Sequence, residues 1–73
     1  MYEKMNEAIR AATDNGQKMA MFHYQVLTHA AELQSADPAE FCRVVGVHKS
    51  FATEFRKMLA LARLMREQGV KLA

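Results

Sequence analysis

A chain of 73 residues is enough for one small domain, and a domain this short buries only a modest share of its surface. Its composition, 51% apolar and 25% charged with a net charge of +2, allows a core without metal or disulfides, and its lone cysteine, Cys42, excludes an intrachain disulfide. It holds no apolar run of the roughly 18 residues that span a bilayer, and the acid-bearing start Met1–Glu7 does not read as a signal peptide, so a cytoplasmic protein is expected.

Scarce glycines and one proline divide the chain into four helical segments. The first runs from Tyr2 to Ala12, with Tyr2, Met5, Ile9 and Ala12 at helical spacing. The second spans about Asn15 to Gln34. Asp14 and Gln17 make a capping box in front of it, and Met19, Phe22, Val26, Ala30 and Leu33 form its apolar stripe. Ala20, Tyr24, Leu27 and Ala31 extend that stripe around most of the circumference, as in a central bundle helix or a dimer interface. A single glycine costs a helix only about 1 kcal/mol, so Gly16 leaves open whether these two segments are one helix. Met21, opposite the stripe, either helps pair subunits or fills the core like the other methionines, because methionine adapts to varied surroundings.

The third segment starts with Asp37 as N-cap, Pro38 at the first helical position and Glu40 completing the box, and it ends at Gly46. The fourth runs from about Lys49 to Gln68. Phe51, Ala52, Phe55, Met58, Leu59, Ala62 and Met65 are its buried stripe, Arg63 and Arg66 suit its last turns, and Gly69 stops it. Charge is uneven along the chain. Residues 1–36 carry three basic and four acidic side chains, whereas residues 37–73 carry seven basic and four acidic ones. That balance fits simply solvated, charged helix faces, or a polyanion near the C-terminal half.

A short helix, a glycine turn and a second helix define a helix-turn-helix corner. Cys42 is the small residue where the helices touch, Gly46 supplies the unusual backbone angle, Val47 plugs the corner, and Ala52 and Phe55 pack the second helix back on the first. With Phe41 and Val45 as apolar partners, this stretch resembles the helix-turn-helix family of bacterial and phage DNA-binding proteins. The whole chain is similar to small stand-alone helix-turn-helix-like proteins of proteobacteria and their prophages. Three positions depart from the family pattern: His48 replaces the usual Ser or Thr cap, Ala52 the mid-helix β-branched residue, and Glu54 stands where it would repel a phosphate backbone.

The expected architecture is all-α: a single domain over residues 1–73, a bundle of three to four helices with a helix-turn-helix unit at about 37–68. The resemblance implies that the second helix of the corner enters the major groove of double-stranded DNA. Lys49, Ser50, Thr53, Arg56 and Lys57 would face the duplex, with Arg63 as a flanking phosphate contact. Specific binding would call for a homodimer reading two half-sites, and the role implied is that of a transcriptional or accessory regulator. The alternative is a helical protein–protein interaction module without DNA binding. No cofactor is implied. His23, His29, His48 and Cys42 follow no zinc-ligand spacing, Cys42 reads as a buried and inert thiol, and no catalytic set is apparent, so catalysis is not expected.

Overall fold

A computed structural model describes residues 1–71. Five helices follow in chain order: α1 (Tyr2–Asp14), α2 (Lys18–Thr28), α3 (Ala30–Leu33), α4 (Pro38–Val45) and α5 (Ala52–Glu67), with a 3-10 turn over Lys49–Phe51 ahead of α5. No strand occurs among the described residues.

The chain breaks between α1 and α2. Gly16 adopts a positive φ of 71°, and the Gln17 amide donates back to the Ala12 carbonyl at 2.9 Å. This corrects the expected capping box. Asp14 is the last residue of α1, and α2 starts behind Gln17 without a side-chain cap, because the glycine turn spends this stretch on closing α1. The expected helix over residues 15–34 is also interrupted, at His29, whose φ and ψ are −112° and 20°. There the Gln25 carbonyl faces both the amide and the ring Nδ1 of His29, and the Thr28 hydroxyl donates to the Tyr24 carbonyl. Side chains competing for backbone acceptors loosen a helix at such points.

The core is formed by Met5, Ile9, Phe22, Val26, Leu33, Phe41, Cys42, Val45, Val47 and Phe55. Fully burying a side chain such as Phe22, Phe41 or Phe55 contributes on the order of 1.5–3 kcal/mol. Phe41 is central: its ring lies 4.8 Å from Phe55, 5.9 Å from Phe22 and 5.7 Å from Tyr2. It therefore ties α4 to α5, α2 and α1 at once. The stripe on α2 is narrower than its composition suggests. Phe22 and Val26 are buried, but Met19 is 39% and Tyr24 55% exposed. Met21, readable as a subunit-pairing residue or as core filling, is half-buried against the core, with the Gln25 amide donating to its Sδ at 3.3 Å. The helix is rotated so that Met21 turns inward and Met19 outward.

Candidate nucleic-acid interface

The helix-turn-helix corner is built from α4, the turn and α5. Asp37 caps α4 by accepting the Glu40 amide at 2.9 Å, and Pro38 takes the first turn. Gly46 closes the helix with φ 81° and ψ 30°, and the Val47 amide donates to the Cys42 carbonyl at 3.0 Å. Only glycine takes that backbone angle without strain. A Cβ there would also lie 2.7 Å from the Asn6 amide nitrogen, so the turn is pressed against α1. Cys42 is fully buried at the helix crossing and Val47 is 8% exposed. Burial pushes the Cys42 thiol up from its ordinary value, and the nearby charge of Arg56 partly opposes this.

His48 does the work expected of a Ser or Thr cap. Its backbone is extended, and Nδ1 accepts the Ser50 amide at 3.1 Å while lying 2.9 Å from the Ser50 hydroxyl. Accepting through Nδ1 requires a ring whose proton sits on Nε2. The first turn beyond the corner is 3-10 rather than α, and α5 proper starts at Ala52. Of the expected α5 stripe, only Phe55 is fully buried; Phe51, Ala52, Met58 and Leu59 are half-buried against the core, and Ala62 and Met65 are half-buried too.

Lys49, Ser50, Thr53, Arg56, Lys57 and Arg63 are all exposed. Thr53, Arg56 with its neighbour Lys57, Ala60 and Arg63 recur at spacings of three and four, so they share one outer face of α5. Lys49 lies one turn ahead, on the 3-10 turn. The Ser50 hydroxyl is engaged by His48. Lys57 donates to Glu54 at 3.3 Å and Arg63 lies 3.6 Å from Glu67, whereas Lys49 and Arg56 have no carboxylate within ion-pair distance among the described residues. Exposed pairs of this kind are worth little, so these cations remain available to an anion.

Glu54 sits differently from its sequence expectation. Its side chain is 26% exposed and turned toward α2, where Oε1 lies 2.8 Å from His23 Nε2. The hydrogen bond from His23, followed by that from Lys57, holds its carboxyl below the ordinary value of 4.5. The one acid on this stretch of α5 thus bonds α2 through one oxygen and Lys57 of the outer face through the other. The partner is 31 positions away, and no local spacing announces it.

The structure adds two residues. Ala39, Arg43, Val47, His48 and Lys49 line a shallow groove of about 350 Å³ between α4 and the turn, continuous through Lys49 with the basic face. Arg43 is exposed on its rim and paired with Glu40. Its position one residue after Cys42 placed it next to the corner, but nothing in the sequence indicated which way it pointed. Among the described residues, no group of three or more His, Cys, Asp or Glu side chains is placed to hold a metal ion. Among the described residues, too, no helix is long and apolar enough to cross a membrane.

None of the curated proteins and none of the solved structures compared matches this chain. A family model described as an HTH-like domain matches residues 1–68. That span takes in the corner and also α1 and α2, which buttress it. The chain belongs to the HTH-like domain family, a helix-turn-helix family.

Proposed function

We propose that this protein binds double-stranded DNA through the outer face of α5, as one helical domain acting as a dimeric regulator rather than as an enzyme. Lys49, Ser50 and Thr53, at the start of the second helix of the corner, approach the base edges, the position this geometry gives to reading residues. Arg56, Lys57 and Arg63 meet phosphates, and the Arg43–His48 groove extends the phosphate track toward α4. The single observation that carries the reading is the exposed, cationic outer face of α5, beside which Glu54 is shared between His23 and Lys57. The test is an electrophoretic shift of random duplex by wild-type protein and by the double variant Lys49→Ala/Arg56→Ala at equal helicity. The expected result is a clear loss of affinity in the variant; a wild-type protein that shifts no duplex at low salt overturns the reading.

A second reading, a helical interaction module without DNA binding, is favoured by the apolar side chains left exposed on α2 and α5, notably Tyr24, Leu61 and Leu64. Capture of one protein partner with no nucleic acid carried along would support it.

A further inference from the structure

Two contacts connect α2 to the outer face of α5. His23 Nε2 lies 2.8 Å from Glu54 Oε1, and Lys57 Nζ donates to the other carboxylate oxygen at 3.3 Å. The set is continuous: an imidazole on α2, a carboxylate at the edge of α5, and an ammonium on the face that meets phosphate in the reading above. The inner two side chains are sheltered, His23 at 30% and Glu54 at 26% exposure, whereas Lys57 is 62% exposed. Of the elements packed on α2, α5 brings Glu54 and, behind it, Lys57 to His23. Among the described residues, no group of α1 or α3 lies within hydrogen-bonding or ion-pairing distance of the His23 ring.

We infer that His23 is a positioning residue for the duplex contact of Lys57: acting through Glu54, it releases Lys57 to a phosphate by taking up a proton. The inference rests on the DNA-binding reading and concerns one contact within it. A carboxylate only accepts, so Nε2 of the neutral ring carries the hydrogen that Glu54 receives. In that state Lys57 alone balances the Glu54 charge, and an arriving phosphate competes with the carboxylate for it. A proton taken from solvent at Nδ1 gives Glu54 a cation of its own on the sheltered side, where charges are screened less. Lys57 is then free to turn outward. The converse follows by linkage. A phosphate that draws Lys57 away leaves Glu54 with the imidazole alone and brings a second negative charge near, and both changes favour the imidazolium. Histidine changes charge between about pH 5 and 8, so the coupling falls in the range where duplex binding is measured.

The test is duplex binding at about pH 6 and about pH 8, at one salt concentration. The parent is the full chain with His29→Gln and His48→Ser, which leaves His23 the only histidine and keeps an acceptor at the cap of the corner. Its affinity should be about fivefold higher at the lower pH, the equivalent of roughly 1 kcal/mol and the upper range for partly exposed pairs. His23→Gln still donates to Glu54 but takes no proton, and it should lose most of that dependence. Glu54→Gln should lose most of it too, and should bind at the higher pH about as tightly as the parent does at the lower. General attraction of an imidazolium to DNA would survive Glu54→Gln, so the two variants together separate positioning from bulk charge. NMR of the His23 ring reads the proton itself: at fixed pH its protonated fraction should rise when duplex is added, and rise less with Lys57→Gln. Parental binding equally strong at both pH values, a pH dependence kept by His23→Gln or by Glu54→Gln, or a ring unaffected by duplex overturns the inference and leaves the DNA-binding reading standing. A parent and a wild-type protein that shift no duplex at either pH overturn both.

Discussion

Replacing Gly46 by alanine probes the corner directly, and Gly16 supplies the control. Both glycines have positive φ, 81° and 71°, so alanine at either place pays the left-handed strain of about 1–2 kcal/mol. At Gly16 a Cβ meets nothing within 4 Å. At Gly46 it lies 2.7 Å from the Asn6 amide nitrogen, so the Asn6 side chain, whose Oδ1 accepts from Arg10 at 3.1 Å, must shift. Overpacking of this kind adds about 1 kcal/mol or somewhat more. For a domain of this size 1 kcal/mol corresponds to about 4–8 °C in Tm. Thermal melts followed by far-UV circular dichroism should therefore place Gly46→Ala about 4–8 °C below Gly16→Ala. In an Asn6→Ala background that gap should close. Equal melting of the two alanine variants, or a gap that persists without Asn6, would refute the reasoning that the turn is pressed against α1.

Three further outcomes follow from the same packing. Phe55→Ala should cost about 3–5 kcal/mol, against a total stability of about 4–11 kcal/mol for a chain this long, so urea titration should find it at or near unfolding; a loss below about 1 kcal/mol would contradict the central place of the Phe41–Phe55 contact. Glu54 and Glu40 both have carboxyls held below the ordinary value, by the hydrogen bonds from His23 and from Arg43 respectively. A lowered folded-state value means stability present above 4.5 and lost as pH falls through the folded value, so denaturation midpoints should drop in that acid range, and Glu54→Gln should flatten the drop, with the effect muted by solvent around the exposed Glu40 pair. Cys42, fully buried and with its thiol pushed up, should resist an aromatic disulfide reagent in the native state and react only on unfolding; rapid native labelling would mean the corner is open.

Features encoded by neighbouring residues were legible in the sequence. Asp37, Pro38, Glu40 and Gly46 define α4 within one short stretch; Asp37, Pro38 and Gly46 act as expected, whereas the Glu40 carboxylate pairs with Arg43 instead of closing the capping box. What was not legible depended on distant partners or on helix phase. Asp14 and Gln17 have the spacing of a capping box, but Gly16 closes α1 there and overrides it. The inward turn of Met21 and outward turn of Met19 depend on how Phe22 meets Phe41 and Phe51, a rotation that a nearly all-apolar helix does not reveal. The six residues of the candidate interface are all on the surface, as helical spacing indicated, but the bond of Glu54 to His23 needed a residue from another helix, and the groove at Arg43 and His48 exists only once the corner is closed.

The most direct measurement of the central claim is the salt dependence of wild-type binding to duplex DNA. With Arg43, Arg56, Lys57 and Arg63 each displacing a counterion, the logarithm of the binding constant should fall against the logarithm of salt concentration with a slope near −3.6 per protomer, from about 0.9 per phosphate contact. Binding that is indifferent to salt, or a slope left unchanged when Arg56 and Lys57 are both replaced by alanine, would contradict a phosphate-facing α5.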